Sequence, residues 1–115
     1  MDSRDVFLLE MIITYADELK SAISDYSIDE QVIEDNASFR GMVAFFVLQI
    51  GEISRSLSDQ FKEAHPEVEW GMIAGMRNTI VHSYGKILPD ILWSTVISDI
   101  PKFRDFCAKQ IGKDS

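Results

Sequence analysis

The apolar residues of this chain recur every three or four positions along almost its whole length, which is the spacing of one face of an α-helix. No segment alternates apolar and polar residues for long enough to predict a β-strand. Six glycines and three prolines leave few positions at which such helices must end. We therefore expect an all-α, up-and-down bundle of about four to five helices, in which residues 1–115 form a single domain.

The same periodicity predicts where the helices lie. We expect four main helices and one short helical turn, at residues 4–25, 29–33 (the turn), 37–63, 68–83 and 89–109. Ser3 and Asp5 suit the start of the first helix, and Pro89 suits the first position of the last. Gly85 fits the end of the helix before it. Pro101 lies inside the last helix and should kink it.

The second main helix carries more apolar surface than a small bundle can cover. Residues 45–48 are consecutive and all apolar, so the stripe is wider than one helix face. Surplus apolar surface of this kind marks interfaces, and we expect a two-fold homodimer. Gly41 and Gly51 lie inside this helix, where glycine costs about 1 kcal/mol relative to alanine. We expect both glycines to allow close packing of a neighbouring helix.

The composition indicates a protein of a reducing compartment. Cys107 is the only cysteine, which excludes an internal disulfide. No run of about 18 apolar residues predicts a membrane span, and the charged N-terminus has no apolar segment typical of a signal peptide. We expect a cytoplasmic protein that does not contact membranes. We expect Cys107, Trp70 and Trp93 to serve packing, and His65 to be a loop residue.

The net charge of −8 is unevenly distributed. Residues 1–35 hold ten acidic and two basic residues, and the remainder of the chain is neutral overall. An acidic chain does not bind nucleic acid through its overall charge. The neutral remainder still leaves room for a local basic site.

The segment from Arg77 to Tyr84 gathers three groups that can act on a substrate, namely Arg77, His82 and Tyr84. Arg77 and Tyr84 are seven residues apart and share a helix face. Arg77 and His82 are five residues apart, which is about 140° around a regular helix. They cannot meet cleanly on one helix, so either the helix unwinds at His82 or two chains supply the groups to one cleft.

These groups suit the cleavage of RNA without a metal. A histidine gives or takes a proton near neutral pH, and the attacking 2′-hydroxyl and the leaving 5′-oxygen need a base and an acid. The donor fork of arginine suits a phosphate and its transition-state charge. Neither histidine has the spacing of metal ligands, so we expect no metal and no cofactor. From residue types alone, the alternative is a set of surface groups that cap helix carbonyls.

The sequence around these groups resembles the HepT-like branch of the HEPN superfamily, over roughly residues 6–106. Arg77 to Tyr84 reads R-N-x-x-x-H-x-Y, the signature of that family. Residues 49–52, Gln-Ile-Gly-Glu, resemble its "iGE" segment. The run from His65-Pro66 through Trp70 to Asn78 resembles its "hp…w…i.gmRN" pattern, and residues 93–101 resemble its closing helix.

The resemblance implies a HEPN-type bundle that forms a homodimer, with the arginine and histidine motifs in a cleft between subunits. Members are described as metal-independent ribonucleases and as toxins of toxin–antitoxin pairs. Their antitoxin is a small MNT-type nucleotidyltransferase, which in some members transfers AMP to the motif tyrosine. Carried over, Arg77 and His82 would be catalytic, Tyr84 would be the modified hydroxyl, and Asn78 would orient the site. Glu52 would pair with Arg77 near the cleft, with a solvated surface carboxylate as the alternative.

Three functions remain open on this sequence. The first is a ribonuclease toxin with an RNA substrate and an MNT-type nucleotidyltransferase antitoxin. The second is a non-catalytic subunit that partners a nucleotidyltransferase and binds a nucleotide or presents the acceptor tyrosine. The third is a plain helical dimerisation module. Cleavage of RNA by the purified chain separates the first function from the second.

Overall fold

The computed structural model describes residues 1–82 and 88–114, and for residues 79–82 and 113–114 it describes the backbone alone. This part of the chain is helical and contains no strand, which confirms the all-α fold class. The helices are α1 Ser3–Asp25, α2 Glu30–Asp35, α3 Ala37–Arg55, α4 Asp59–Ala64, α5 Trp70–His82, α6 Pro89–Ser94 and α7 Ile100–Asp114. A π-helical turn, Thr95–Asp99, joins α6 to α7, so these two helices form one continuous path. The expected helix end at Gly85 lies outside the described residues.

Helix α3 lies at the centre of the bundle, where it packs on α1 and α5, and α1 also packs on α7. Helices α1 and α3 are antiparallel, because Asp5 bonds to Ser58 just beyond the end of α3 while Tyr26 packs on Phe39 near its start. The ring of Trp70, at the start of α5, lies edge-on to Phe103 of α7 with centroids 5.9 Å apart. This contact closes the bundle.

The core is built from the apolar stripes that the sequence predicts. Its fully buried side chains come from α1, α2, α3 and α7: Leu9, Ile12, Leu19, Ile33, Val43, Val47, Ile50 and Cys107. Burying one such aliphatic side chain contributes about 1.5–3 kcal/mol. Cys107 serves packing as expected, and Trp70 and Trp93 pack against the core while remaining partly exposed. Within the described residues, no helix is both long enough and apolar enough to cross a bilayer.

The prediction of one helix over 37–63 is wrong. Helix α3 ends at Arg55, and α4 begins at Asp59 after a short turn. Ser58 caps α4, because its hydroxyl accepts a hydrogen bond from the backbone N–H of Phe61. The buried carboxylate of Asp5 accepts hydrogen bonds from the N–H and the hydroxyl of Ser58, at 2.9 and 2.6 Å. The break is therefore stabilised by a residue of α1.

The start of α1 also differs from the prediction, because its cap is Asp2. The Asp2 side chain accepts from the backbone N–H of Asp5 at 2.7 Å, and Ser3 is the first helical residue. The side chain of Asp5 therefore does not cap α1 and instead accepts hydrogen bonds from Ser58.

The irregularity expected at Pro101 takes the form of the π-helical turn that precedes it. The N–H of Ile100 donates to the carbonyl of Thr95, five residues back. Proline has no N–H, and in a regular helix its ring collides with the carbonyl four residues earlier. A wider turn directly before Pro101 removes that conflict, which is a common use of π-helical geometry.

Candidate active site

The candidate site lies where α5 crosses α3, and Gly51 sets the distance between the two helices. A Cβ added at Gly51 would lie 3.2 Å from both the Cβ and the backbone N of Arg77, and 3.5 Å from the carbonyl O of Ile73. A side chain at Gly51 would therefore press directly on α5. Among the described residues, no atom lies within 4 Å of a Cβ added at Gly41. The expectation of close packing is confirmed for Gly51 and wrong for Gly41.

The close approach places Arg77 of α5 against Glu52, the residue after Gly51 on α3. The Nε atom of Arg77 is buried and forms an ion pair with Oε1 of Glu52. The side chains remain partly open to solvent, at 30% exposed for Arg77 and 44% for Glu52. Glu52 therefore pairs with Arg77 rather than standing alone as a solvated carboxylate. The guanidinium is held in place and still accessible to a ligand.

Two further side chains complete the group. Nη1 of Arg77 donates to the side-chain oxygen of its neighbour Asn78 at 3.3 Å. Nη1 of Arg55, one helical turn beyond Glu52, lies 3.4 Å from the same Oε1 atom that Arg77 contacts. We call Arg77, Glu52 and Arg55 the arginine cluster, and its formal charge is +1. Sequence reasoning missed Arg55, although its spacing of three residues from Glu52 on a helix was a usable signal.

One exposed aromatic side chain, Phe45, lies on the same face of α3 as Glu52. Phe45 is seven residues before Glu52, so the two side chains share a face of α3 two turns apart. The ring of Phe45 is 49% exposed and packs edge-on against Phe46. Of the apolar run at residues 45–48, Val47 is buried, Phe46 and Leu48 are partly buried, and Phe45 is the exposed member.

The structure brings Arg77, Asn78 and Glu52 together, but it does not describe the other predicted site groups. The backbone of α5 is helical as far as His82. The side chain of His82 and all of Tyr84 lie outside the described residues. Their roles stay predictions.

His65 has structural contacts within the bundle. Its Nδ1 lies 3.0 Å from Oε1 of Glu67, and its ring packs on Phe61 with centroids 4.7 Å apart. Its carbonyl accepts a hydrogen bond from Nε1 of Trp70 at 2.9 Å. In the described part of the chain, no three histidine, cysteine or acidic side chains are grouped as metal ligands.

Comparison with known proteins gives one family. A family model described as "Ribonuclease HepT-like" matches residues 12–110. A protein of Thermococcus cleftensis named "Probable ribonuclease HepT" is 40% identical over 55 residues, which is 48% of this chain and 50% of the relative. A protein of Caldanaerobacter subterraneus, named as an RNase by inference, is 34% identical over 73 residues, 64% of each chain.

A third relative matches over almost its full length. A protein of Methanocaldococcus jannaschii, also named as an RNase by inference, is 33% identical over 106 residues, which is 90% of this chain and 94% of the relative. By comparison, the chain covers 50% of the Thermococcus cleftensis relative and 64% of the Caldanaerobacter subterraneus relative. No solved structure gives a significant match.

Proposed function

The chain belongs to the HepT-like ribonuclease family, and we propose that it is a metal-independent endoribonuclease that acts in the cytoplasm as the toxin of a toxin–antitoxin pair. The observation that carries the proposal is the position of Arg77. Its guanidinium is oriented by Glu52, set by the close approach at Gly51, and partly open to solvent. A phosphate that reaches this group meets donors arranged in a planar fork.

In the proposed reaction, Arg77 binds the phosphate at which the RNA strand is cut. The 2′-hydroxyl attacks this phosphate as a base removes its proton, the bond to the 5′-oxygen breaks, and an acid protonates that oxygen. The products are a 2′,3′-cyclic phosphate and a free 5′-hydroxyl. We assign His82 to proton transfer because a histidine can be base or acid near neutral pH.

Two observations support a homodimer with the site at its interface. Helix α5 continues as far as His82, so positions 77 and 82 of its backbone are about 140° apart around the helix axis. Of the two arrangements that the spacing allows, this favours the one in which each cleft takes groups from both chains. The exposed ring of Phe45 lies on the same face of α3 as Glu52, and interfaces are enriched in such aromatic residues.

The proposal is tested by incubating the purified chain with RNA in the presence of EDTA. We expect cleavage in wild type, and a loss of about 10²–10⁴-fold in rate in His82→Ala, typical of a general acid–base group. Arg77→Ala should lose a similar amount because the transition-state charge is no longer stabilised. Circular dichroism checks that both variants fold. Undiminished cleavage by folded His82→Ala contradicts its assignment, and a requirement for magnesium contradicts the metal-independent mechanism.

We further propose that an MNT-type nucleotidyltransferase antitoxin silences the enzyme by transferring AMP to Tyr84. An AMP at this position would bring bulk and negative charge near the phosphate site, which excludes RNA by volume and by repulsion. Peptide mass spectrometry of the co-expressed pair should show AMP on Tyr84, and Tyr84→Phe should abolish the modification while leaving the assembly intact. An unmodified Tyr84 beside an active partner enzyme contradicts this regulation.

A further inference from the structure

One carboxylate oxygen serves two guanidinium groups in the arginine cluster. Oε1 of Glu52 contacts Nε of Arg77 and lies 3.4 Å from Nη1 of Arg55. A single negative charge cannot neutralise two positive charges, so the cluster keeps an excess of one positive charge. Such an excess on a chain of net charge −8 is a local attraction for an anion.

The two arginines are held differently. Arg77 has a buried Nε and packs against Gly51, so its position is fixed by the helix contact. Arg55 stands at the end of α3, with its side chain 49% exposed and its ion pair near the outer limit of such contacts. Arg55 is therefore free to move towards a ligand that approaches Arg77, at little energetic cost.

A third cation lies next to Arg55. Nζ of Lys62, on α4, donates to the backbone carbonyl of Arg55 at 3.1 Å. Within the described part of the chain, no carboxylate lies within 4.0 Å of Lys62. The acidic residues of α4, Asp59 and Glu63, are exposed and do not pair with Arg55. Lys62 thus adds a positive charge beside Arg55 at the end of α3.

We propose that Arg55 binds a second phosphate of the RNA strand, next to the phosphate held by Arg77, and that Glu52 is the counter-ion both arginines share when RNA is absent. The inference rests on the proposed ribonuclease function. When RNA arrives, Glu52 keeps its contact with the buried Nε of Arg77, and the reacting phosphate binds the other donors of that guanidinium. Arg55 exchanges its 3.4 Å contact with Glu52 for the second phosphate. Arg55 contributes to binding in the ground state, whereas Arg77 acts at the reacting phosphate.

Binding is measured by fluorescence anisotropy, with a labelled RNA whose 2′-hydroxyls are all methylated so that it cannot be cleaved. Arg55→Gln should raise Kd about tenfold at low salt, the size expected for one lost charge-assisted contact. The slope of log Kd against log salt concentration should fall by about 0.7, as for one phosphate contact to a single strand. With cleavable RNA, KM should rise and kcat should stay unchanged.

Lys20→Gln is the matched control, because it removes the same charge from an exposed position of α1 that lines the groove against α7. It should change neither the salt slope nor KM. Glu52→Gln should have the opposite effect to Arg55→Gln on binding, lowering Kd because the competing anion is gone. Its kcat should fall, because Arg77 loses the partner that orients it.

The outcomes separate the two proposals. If wild-type protein binds and cleaves RNA while folded Arg55→Gln behaves as Lys20→Gln does, the role of Arg55 is contradicted and the ribonuclease function stands. If Glu52→Gln weakens binding, the shared counter-ion is contradicted. If folded wild-type protein neither binds nor cleaves any RNA tested, both the function and the inference built on it are overturned.

Discussion

At the scale of single residues, Gly51 determines where Arg77 lies. The atoms that an added Cβ would meet are the Cβ and backbone N of Arg77, which cannot move without the helix. Gly51→Ala should therefore displace α5, reduce RNA cleavage and cost about 1–3 kcal/mol of stability through overpacking. Gly41→Ala is the control, since no atom of the described residues lies within 4 Å of a Cβ added there. It should stabilise the fold by up to about 1 kcal/mol through helix propensity alone. Urea unfolding and cleavage assays measure both variants, and equal behaviour of the two contradicts the role of Gly51.

Cys107 gives a dependence of stability on pH at the same scale. Burial raises the pKa of its thiol from 9.0 to about 12. Above pH 9 the unfolded chain ionises this thiol while the folded chain keeps it protonated, so the free energy of unfolding falls as pH rises from 9.0 towards 12. Below pH 9 the thiol should leave the free energy of unfolding unchanged. Above pH 9 it should lower that free energy by an amount approaching about 1.4 kcal/mol per pH unit. Cys107→Ala removes this contribution and leaves other titrating groups in place. Urea unfolding at pH 7 and pH 10 should show that the free energy of unfolding falls more in wild type than in Cys107→Ala. An equal fall in both proteins contradicts the effect of the thiol.

At the scale of helices, the turn between α3 and α4 depends on Asp5. Its buried carboxylate holds the N–H and the hydroxyl of Ser58. Asp5→Ala removes both bonds and leaves the partly buried N–H of Ser58 without its acceptor, which should cost about 2–3 kcal/mol in urea unfolding. Asp2→Ala removes one exposed helix cap and should cost about 1 kcal/mol. A cost for Asp5→Ala no greater than that for Asp2→Ala would show that the turn is stabilised in another way.

The same turn shows what the sequence could and could not predict. Apolar periodicity found the main helices, because the core stripes of α1, α3 and α7 are local patterns of about 3.6 residues. The break between α3 and α4 depends on a residue 53 positions away in the sequence, which no local pattern reports. The motif from Arg77 to Tyr84 was visible in the sequence. The family resemblance also predicted that Glu52 pairs with Arg77. The pairing of Arg55 with Glu52 could have been predicted from their spacing of three residues, but the link from Arg55 to Arg77 forms only when α3 packs against α5.

At the scale of the whole molecule, charge separates two regions of the bundle. The excess of negative charge belongs to residues 1–35, which form α1 and α2. The arginine cluster lies on α3 and α5, in the neutral remainder of the chain. We expect RNA to approach from the side of α3 and α5, because the acidic helices repel its phosphates. Cleavage should slow as salt rises, since the positive cluster is then screened.

The assembly determines whether Arg77 and His82 of one chain or of two chains act together. If each cleft takes Arg77 from one subunit and His82 from the other, mixing inactive Arg77→Ala and His82→Ala subunits restores one complete cleft in every mixed dimer. Random exchange makes about half of the dimers mixed, and one of the two clefts in each mixed dimer is complete. About a quarter of wild-type activity should therefore return. Phe45→Asp in both variants should prevent this recovery, because a charge on the exposed apolar face opposes association. Light scattering at each step reports the dimer. A dimer that exchanges subunits without any recovery of cleavage would show that both groups act within one chain.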